Sequence, residues 1–170
     1  MKRTIYILLL LSLATSFSPA FAQKALKPVK TFLKNKRPAD ALKMVKTLEQ
    51  DSDMVNEPRL YQYGVEANIA INDALNEKMY LKQKIDTVQL FQSTFGILDY
   101  AMKCDSVEQV RHESFGKKYK FRKSNAPLIK TYYQNLLAGS RFFYAHKNYK
   151  EALLLSEKAI NALQTPLFKD

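Results

Sequence analysis

The residue types that most often carry catalysis are few in this chain and lie far apart in the sequence. His112 and His146 are the only histidines, and neither has a cysteine or carboxylate at the spacing of a metal site. Cys104 is the only cysteine, so no internal disulfide can form. Its place at the end of an apolar run favours a buried, inert thiol, although the neighbouring Lys103 leaves a reactive thiol as the alternative. We therefore predict no catalytic residue, no metal site and no cofactor, and an enzyme is the least favoured class.

The strongest charge feature is a short segment in which cations alternate with aromatic residues. Such a segment can pair with phosphates while its rings stack on flat groups. A solvated loop over residues 116–124 would have the same composition and would bind anions only weakly and in a salt-sensitive way. Both interpretations stay open at this point. The cations of this basic segment are Lys117, Lys118, Lys120, Arg122 and Lys123.

The first residues predict export from the cytoplasm. Lys2 and Arg3 form a cationic start, residues 5–13 are apolar except for Ser12, and Ala20 and Ala22 are the small residues that a signal peptidase reads. The apolar run is about half of the roughly 20 residues that a membrane span needs. We therefore expect cleavage after Ala22 and no transmembrane span in the mature chain.

Export would limit both the compartment of the protein and the classes of partner that it can meet. No cysteine follows the apolar run closely, so we expect a periplasmic or extracellular protein that is not a lipoprotein. The formal net charge is +11 at pH 7, but an exported protein rarely meets nucleic acid. An anionic lipid or polymer of the cell envelope, or an acidic protein surface, fits a basic exported chain better.

Apolar residues at helical spacing fill the rest of the chain, and the pattern predicts an all-α fold without β-sheet. Only 4 glycines and no tryptophan argue against a turn-rich barrel or a glycine-lined phosphate site. We divide the mature chain into a basic entry segment over residues 23–36, a helical domain over 37–164 and a tail over 165–170. A domain of this size can build one core.

Helix starts and ends carry recognisable signals. The apolar run from Val88 to Met102 predicts a long buried helix, and residues 105–114 predict a separate short one. Thr165 precedes Pro166, and this position disfavours helical backbone, so the last helix should end there. Prolines fit first turns and short polar side chains fit N-caps. The prolines are Pro38 and Pro58, and the predicted caps are Asn56, Asp86 and Asn125.

Small residues recur where paired helices must touch, and large residues stand beside them. Gly64 lies among Leu60, Tyr63 and Ala67, while Ser140 holds the same place before Phe143. Ala152 and Ala159 are seven residues apart and share one helix face.

This pattern resembles the helix pairs of tetratricopeptide repeats over roughly residues 36–163, with the best match between Asn135 and Ile160. The repeats are degenerate, because Gly139 stands one residue before the usual small position and an insertion over residues 76–86 lengthens the middle pair. The resemblance implies a short right-handed solenoid of antiparallel helix pairs that binds a protein or peptide without catalysis. A plain helical bundle with small residues at its crossings is the alternative.

In a solenoid of this kind, the inner helices line a groove that holds an extended peptide. Long polar and aromatic side chains on two helices are the candidates, with ordinary surface as the other interpretation. They are Arg59, Gln62, Tyr63 and Glu66 on the earlier helix, and Gln134, Arg141 and Tyr144 on the later one.

Consecutive leucines near the end of the chain predict a second surface. Leu153, Leu154 and Leu155 span about 200° of a helix, so one neighbouring helix cannot cover all three. Either Leu167 and Phe168 fold back as a lid, or a partner docks there, or the natural protein continues. We favour docking or continuation, and we expect Leu154, Leu155, Leu167 and Phe168 to contact a partner.

Overall fold

The computed structural model describes residues 19–169, and residues 1–18 of the predicted signal segment lie outside this part. No strand occurs within it, so the predicted all-α class is confirmed. The first six helices each pack chiefly on their neighbours along the chain, and the short last helix packs on both of the two helices before it. The helices are α1 (Pro19–Lys34), α2 (Pro38–Leu48), α3 (Pro58–Tyr80), α4 (Thr87–Phe115), α5 (Arg122–Ala145), α6 (Tyr149–Gln164) and α7 (Pro166–Lys169).

Helices α3 and α4 run antiparallel and approach closely at two glycines. A Cβ atom on Gly64 would lie 2.5 Å from the ring of Tyr100, and one on Gly96 would collide with the side chain of Asn68. Each glycine therefore makes room for a large side chain of the facing helix. The expected role of Gly64 as a contact residue is confirmed.

Helices α5 and α6 use the same device. A Cβ atom on Gly139 would lie 2.7 Å from Leu155 Cδ2 and 2.8 Å from Phe91 Cδ1, so this glycine is the point of closest approach. The hydroxyl of the adjacent Ser140 donates a hydrogen bond to the Ala152 carbonyl oxygen at 3.0 Å. Gly139 thus allows the two helices to pack closely, and Ser140 links them by a hydrogen bond.

The turns after α1, α3 and α5 share one backbone geometry. A lysine occupies the left-handed region in each turn, at φ 55° for Lys36, 57° for Lys82 and 59° for Lys147. The next amide in each turn bonds back to a carbonyl of the helix, as in a Schellman motif. These 2.9 Å bonds run from Arg37 N to Phe32 O, from Gln83 N to Lys78 O and from Asn148 N to Phe143 O.

Three predicted helix starts agree with the structure, among them Pro38 at the start of α2, but the cap predicted for α3 does not. Pro58 opens α3 as expected, but the cap is Glu57, whose Oε1 accepts a hydrogen bond from Arg59 N at 3.1 Å, and not Asn56. Asp86 caps α4 as predicted, because its Oδ1 accepts the amide of Gln89 at 3.0 Å. The longer glutamate side chain reaches the first free amides from one position further along.

Helix α5 begins differently from the prediction. It starts at Arg122, and Asn125 is buried within its first turn, so Asn125 is not the cap. The two residues before the helix are held from α4 instead, because Glu108 Oε1 accepts Lys120 N at 2.6 Å and Phe121 N at 3.1 Å. A contact between residues so far apart in sequence leaves no local signal.

The polar residues 105–114 continue α4 and form no separate helix, so that prediction is wrong. Asp105 and Glu108 look like surface residues in the sequence, but both are buried against the α4–α5 connection. Asp105 binds the guanidinium of Arg122 through two bonds of 2.6 and 2.9 Å. The break in apolar periodicity therefore marks a polar contact and not a helix end.

The chain end folds back onto the domain. Helix α6 ends at Gln164, and Thr165 is extended, as its position before Pro166 predicts. Leu167 is fully buried, and the ring of Phe168 packs 5.3 Å from that of Tyr133 on α5. Within residues 19–169, none of the helices is both long and apolar enough to cross a membrane.

Candidate partner-binding groove

A large open groove lies between α1 and α3. Its volume is about 1020 Å³, and its α3 side is formed by Arg59, Tyr63 and Glu66. All three were predicted from the sequence as groove residues. The structure brings them together at one concave surface, on the helix that the sequence indicated.

Helix α1 supplies the other side, which the sequence interpretation missed. Four exposed lysines, Lys24, Lys27, Lys30 and Lys34, line this wall, together with the apolar Leu26 and Leu33. None of the four forms an ion pair with a carboxylate in residues 19–169. Their spacing of three, three and four residues puts them on one helix face, and this spacing was a readable signal.

The charges on the α3 side are partly compensated. Glu57 accepts a hydrogen bond from Arg111 Nη1 at 3.2 Å, and the guanidinium of Arg59 lies 4.7 Å from the ring centroid of Phe121. Partial desolvation raises the pKa of Glu66, although the charge of Arg59 opposes this shift. With four free lysines on α1, the groove as a whole is electropositive and suits an acidic ligand.

The other predicted groove residues do not join this site. Gln62 is buried and does not line the groove. Gln134, Arg141 and Tyr144 are exposed on α5, away from the α1–α3 groove. The ring of Tyr144 lies 5.5 Å from that of Tyr149 across the α5–α6 turn.

A second cavity of about 650 Å³ lies between α2, α4 and α6, and Leu154 and Leu155 contribute to its wall. Three charged residues of its wall, Glu49, Asp99 and Lys103, form ion pairs. Lys103 Nζ lies 2.9 Å from Glu49 Oε1 and 3.1 Å from Asp99 Oδ2. Lys158 Nζ lies 2.6 Å from Asp99 Oδ1. This network ties three helices together, so we interpret it as structural.

Tyr100 completes the network. Its hydroxyl donates a 2.7 Å hydrogen bond to Glu49 Oε2. Burial, reinforced by this bond to a carboxylate, raises the pKa of Tyr100 well above the ordinary value of 10.0. The tyrosine is therefore a neutral donor and not a base.

The residues expected at an exposed apolar end have different environments. Leu155 and Leu167 are buried in the domain core, so the expectation that they face a partner is corrected. Phe168 is half-buried against Tyr133, and Leu154 remains partly exposed. The lid that we considered less favoured is the arrangement that the structure adopts, because α7 turns back at Pro166.

The basic segment is divided between two environments. Lys117, Lys118 and Lys120 line a small cavity of about 230 Å³, which also contains Glu57 and Glu108. Lys123 is exposed on α5. Arg122 is held by Asp105, and its guanidinium lies 3.7 Å from the ring centroid of Tyr119. Of the five cations of the segment, Arg122 is therefore engaged, while the four lysines remain exposed.

The potentially reactive residues remain apart. Cys104 is fully buried, its Sγ lies 3.4 Å from the Pro58 carbonyl oxygen, and burial raises the pKa of its thiol. This confirms the predicted burial of Cys104. His112 Nδ1 donates to the Lys117 carbonyl oxygen at 2.8 Å, while His146 packs on Phe142 in another turn. Residues 19–169 contain no cluster of three or more His, Cys, Asp or Glu side chains placed to hold a metal ion.

Comparison with known proteins gives no match for this chain among family models, curated proteins or solved structures.

Proposed function

We propose that this chain is an exported, non-catalytic scaffold of tetratricopeptide-like helix pairs that binds an acidic segment of a protein or peptide partner in the α1–α3 groove. The observation that carries the proposal is the unpaired lysine row of α1 facing Arg59, Tyr63 and Glu66 across a groove of about 1020 Å³. Such a groove accepts an extended chain, with its apolar floor contacting side chains and its cations pairing with carboxylates.

Two further features support this proposal. The repeated turn geometry at Lys36 and Lys147 is followed five residues later by the buried alanines Ala41 and Ala152, which is the kind of recurrence that helical repeats show. The cationic start, apolar run and small-residue pair within residues 1–22 support export.

The test is crosslinking capture from the protein's own cell envelope with charge-reversed variants. We expect Lys27→Glu/Lys30→Glu to lose the captured partner, because an acidic ligand is then repelled from α1. The matched control Lys43→Glu/Lys130→Glu makes the same change in net charge on exposed residues outside the groove. Equal capture by the wild type and the groove variant would overturn the proposal, as would equal loss in both variants.

A further inference from the structure

The end of the domain that carries the turns after α1, α3 and α5 is both basic and apolar. We define this turn end as residues 35–40, 77–88 and 144–151. Phe91, one turn into α4, packs 5.2 Å from Phe142 near the end of α5, so the α3–α4 and α5–α6 turns lie side by side. The α1–α2 turn lies on the same side, because α2 runs antiparallel to α3. Leu42, early in α2, lines a cavity with Ile71 in the second half of α3. Glu49, just after α2, accepts a hydrogen bond from Tyr100, whose ring faces Gly64 in the first half of α3.

Large apolar side chains project from this end without covering by the described part of the chain. Met79 is 51% exposed, Tyr80 87%, Leu81 55% and Val88 42%. Met79 and Tyr80 lie in the last turn of α3, Leu81 follows it just before the left-handed turn at Lys82, and Val88 lies in the first turn of α4. Tyr144 and Tyr149 add two exposed rings beside them.

The charges of the turn end favour an anionic surface. The three segments hold seven cations and four carboxylates, a formal excess of +3. Two of the carboxylates are engaged, because Asp40 pairs with Arg37 and Asp86 caps α4. The cations are Lys36, Arg37, Lys78, Lys82, Lys84, Lys147 and Lys150, and the carboxylates are Asp40, Glu77, Asp86 and Glu151.

We infer that the turn end docks on an anionic lipid membrane, with Tyr80 and its apolar neighbours inserted among the headgroups. Apolar and tyrosine side chains flanked by lysines are the composition that a bilayer interface selects, and each lysine adds attraction to acidic lipids. The three adjacent turns form a wide surface without a cleft. Such a surface is more complementary to a flat membrane than to an extended peptide. This inference goes beyond the proposed partner binding and uses none of the groove residues.

The basic segment 117–123 cannot share this membrane contact. This segment follows the end of α4 that is remote from the turn end. The 29 residues of α4 span about 43 Å, so the two basic surfaces are separated by roughly that distance. The Debye length is only about 8 Å at physiological salt, so the charges of one surface are screened from the other. At that far end, residues 49–57 place four carboxylates and no cation beside it. The far end also has exposed lysines, but α4 offers there only Val110 and Phe115 as large exposed apolar side chains, whereas the turn end offers Met79, Tyr80, Leu81, Val88, Tyr144 and Tyr149.

The chain contains no tryptophan, so a single introduced tryptophan reports on its own surroundings. We expect the emission of Tyr80→Trp to shift to shorter wavelength on mixing with phosphatidylcholine vesicles that contain phosphatidylglycerol, and to shift less with phosphatidylcholine alone. The matched control is Phe115→Trp, which replaces an exposed ring at the far end of α4. A shift in the control but not in Tyr80→Trp, or a shift in neither variant, would overturn the inference.

A second measurement tests the charges of the turn end. All variants are made in the full-length chain, so that residues 1–18 contribute equally to vesicle binding in each. Lys78→Gln/Lys82→Gln/Lys84→Gln should weaken vesicle partitioning by roughly fivefold for each lysine removed. The charge-matched variant Lys117→Gln/Lys118→Gln/Lys120→Gln should leave partitioning nearly unchanged. Equal weakening in the two variants would show that only net charge matters, and the inference would fail. Salt-sensitive binding to an acidic protein such as polyglutamate, without the fluorescence shift on vesicles, would also overturn it.

Discussion

At the scale of single residues, two buried asparagines differ in whether their side-chain amides form hydrogen bonds. Asn72 lies between α3 and α4, where its Nδ2 donates to Ser93 Oγ at 3.0 Å and Thr94 Oγ1 at 3.1 Å. Asn125 is equally buried in α5, but neither atom of its amide forms a hydrogen bond with the described residues. Burying an amide is costly unless its hydrogen bonds are made inside the protein.

We therefore predict that Asn125→Leu raises the free energy of unfolding by about 1–2 kcal/mol, since the change removes an unpaired polar group. The matched variant Asn72→Leu should lower it by about 1–3 kcal/mol, because the change leaves buried hydroxyl and carbonyl groups without their donor. Urea unfolding measures both. A loss of stability in Asn125→Leu as large as that in Asn72→Leu would contradict the assigned environments.

At the scale of elements, close helix pairs depend on a glycine facing a large ring or side chain. In the α3–α4 pair, Gly64 lies under Tyr100, and this ring is fixed by burial and by its bond to Glu49. A methyl group there cannot be accommodated by a small rotation of the ring. The two helices would have to move apart.

Gly64→Ala should therefore destabilise the protein by about 1–3 kcal/mol, because overpacking outweighs the better helix propensity of alanine. In the background of Tyr100→Ala the same change should become neutral or stabilising by up to about 1 kcal/mol, since the clash is gone. Urea unfolding of the four proteins gives the coupling free energy. A coupling near zero would show that the ring and the glycine are not the limiting contact.

At the scale of the whole molecule, the core shields several groups whose charged forms would be costly. Tyr100 and Cys104 both have raised pKa values, mainly because burial disfavours the phenolate and the thiolate. In the unfolded chain these groups return to ordinary values of 10.0 and 9.0. Unfolding at alkaline pH therefore releases protons.

It follows that the free energy of unfolding should fall as pH rises above about 9, while this contribution is fully present at lower pH. Tyr100→Phe should make the fall shallower above about pH 10, because one ionising group is removed. The control Tyr80→Phe changes a ring that is 87% exposed and should leave the slope as it is. Denaturant unfolding across this pH range measures the slope, and a flat profile in the wild type would contradict the role of burial.

The sequence by itself determined the helical class, the opening of α3 at Pro58, the cap at Asp86 and the end of α6 before Pro166. These features depend on local backbone preferences and short-range hydrogen bonds, which a few neighbouring residues fix. It also indicated Arg59, Gln62, Tyr63 and Glu66 as candidate groove residues on one helix, and all but Gln62 line the groove. Helical periodicity determines a face without knowledge of the partner helix.

Only the tertiary structure decided which surfaces remain open. Glu108 on α4 holds the backbone just before α5, and Leu155 and Leu167 are buried because α7 turns back. The lysines of α1 become a groove wall only because α3 lies opposite. These outcomes depend on contacts between residues distant in sequence, and no local pattern records them. The sequence thus listed the charged and apolar residues, and packing decided which of them a ligand or a membrane can reach.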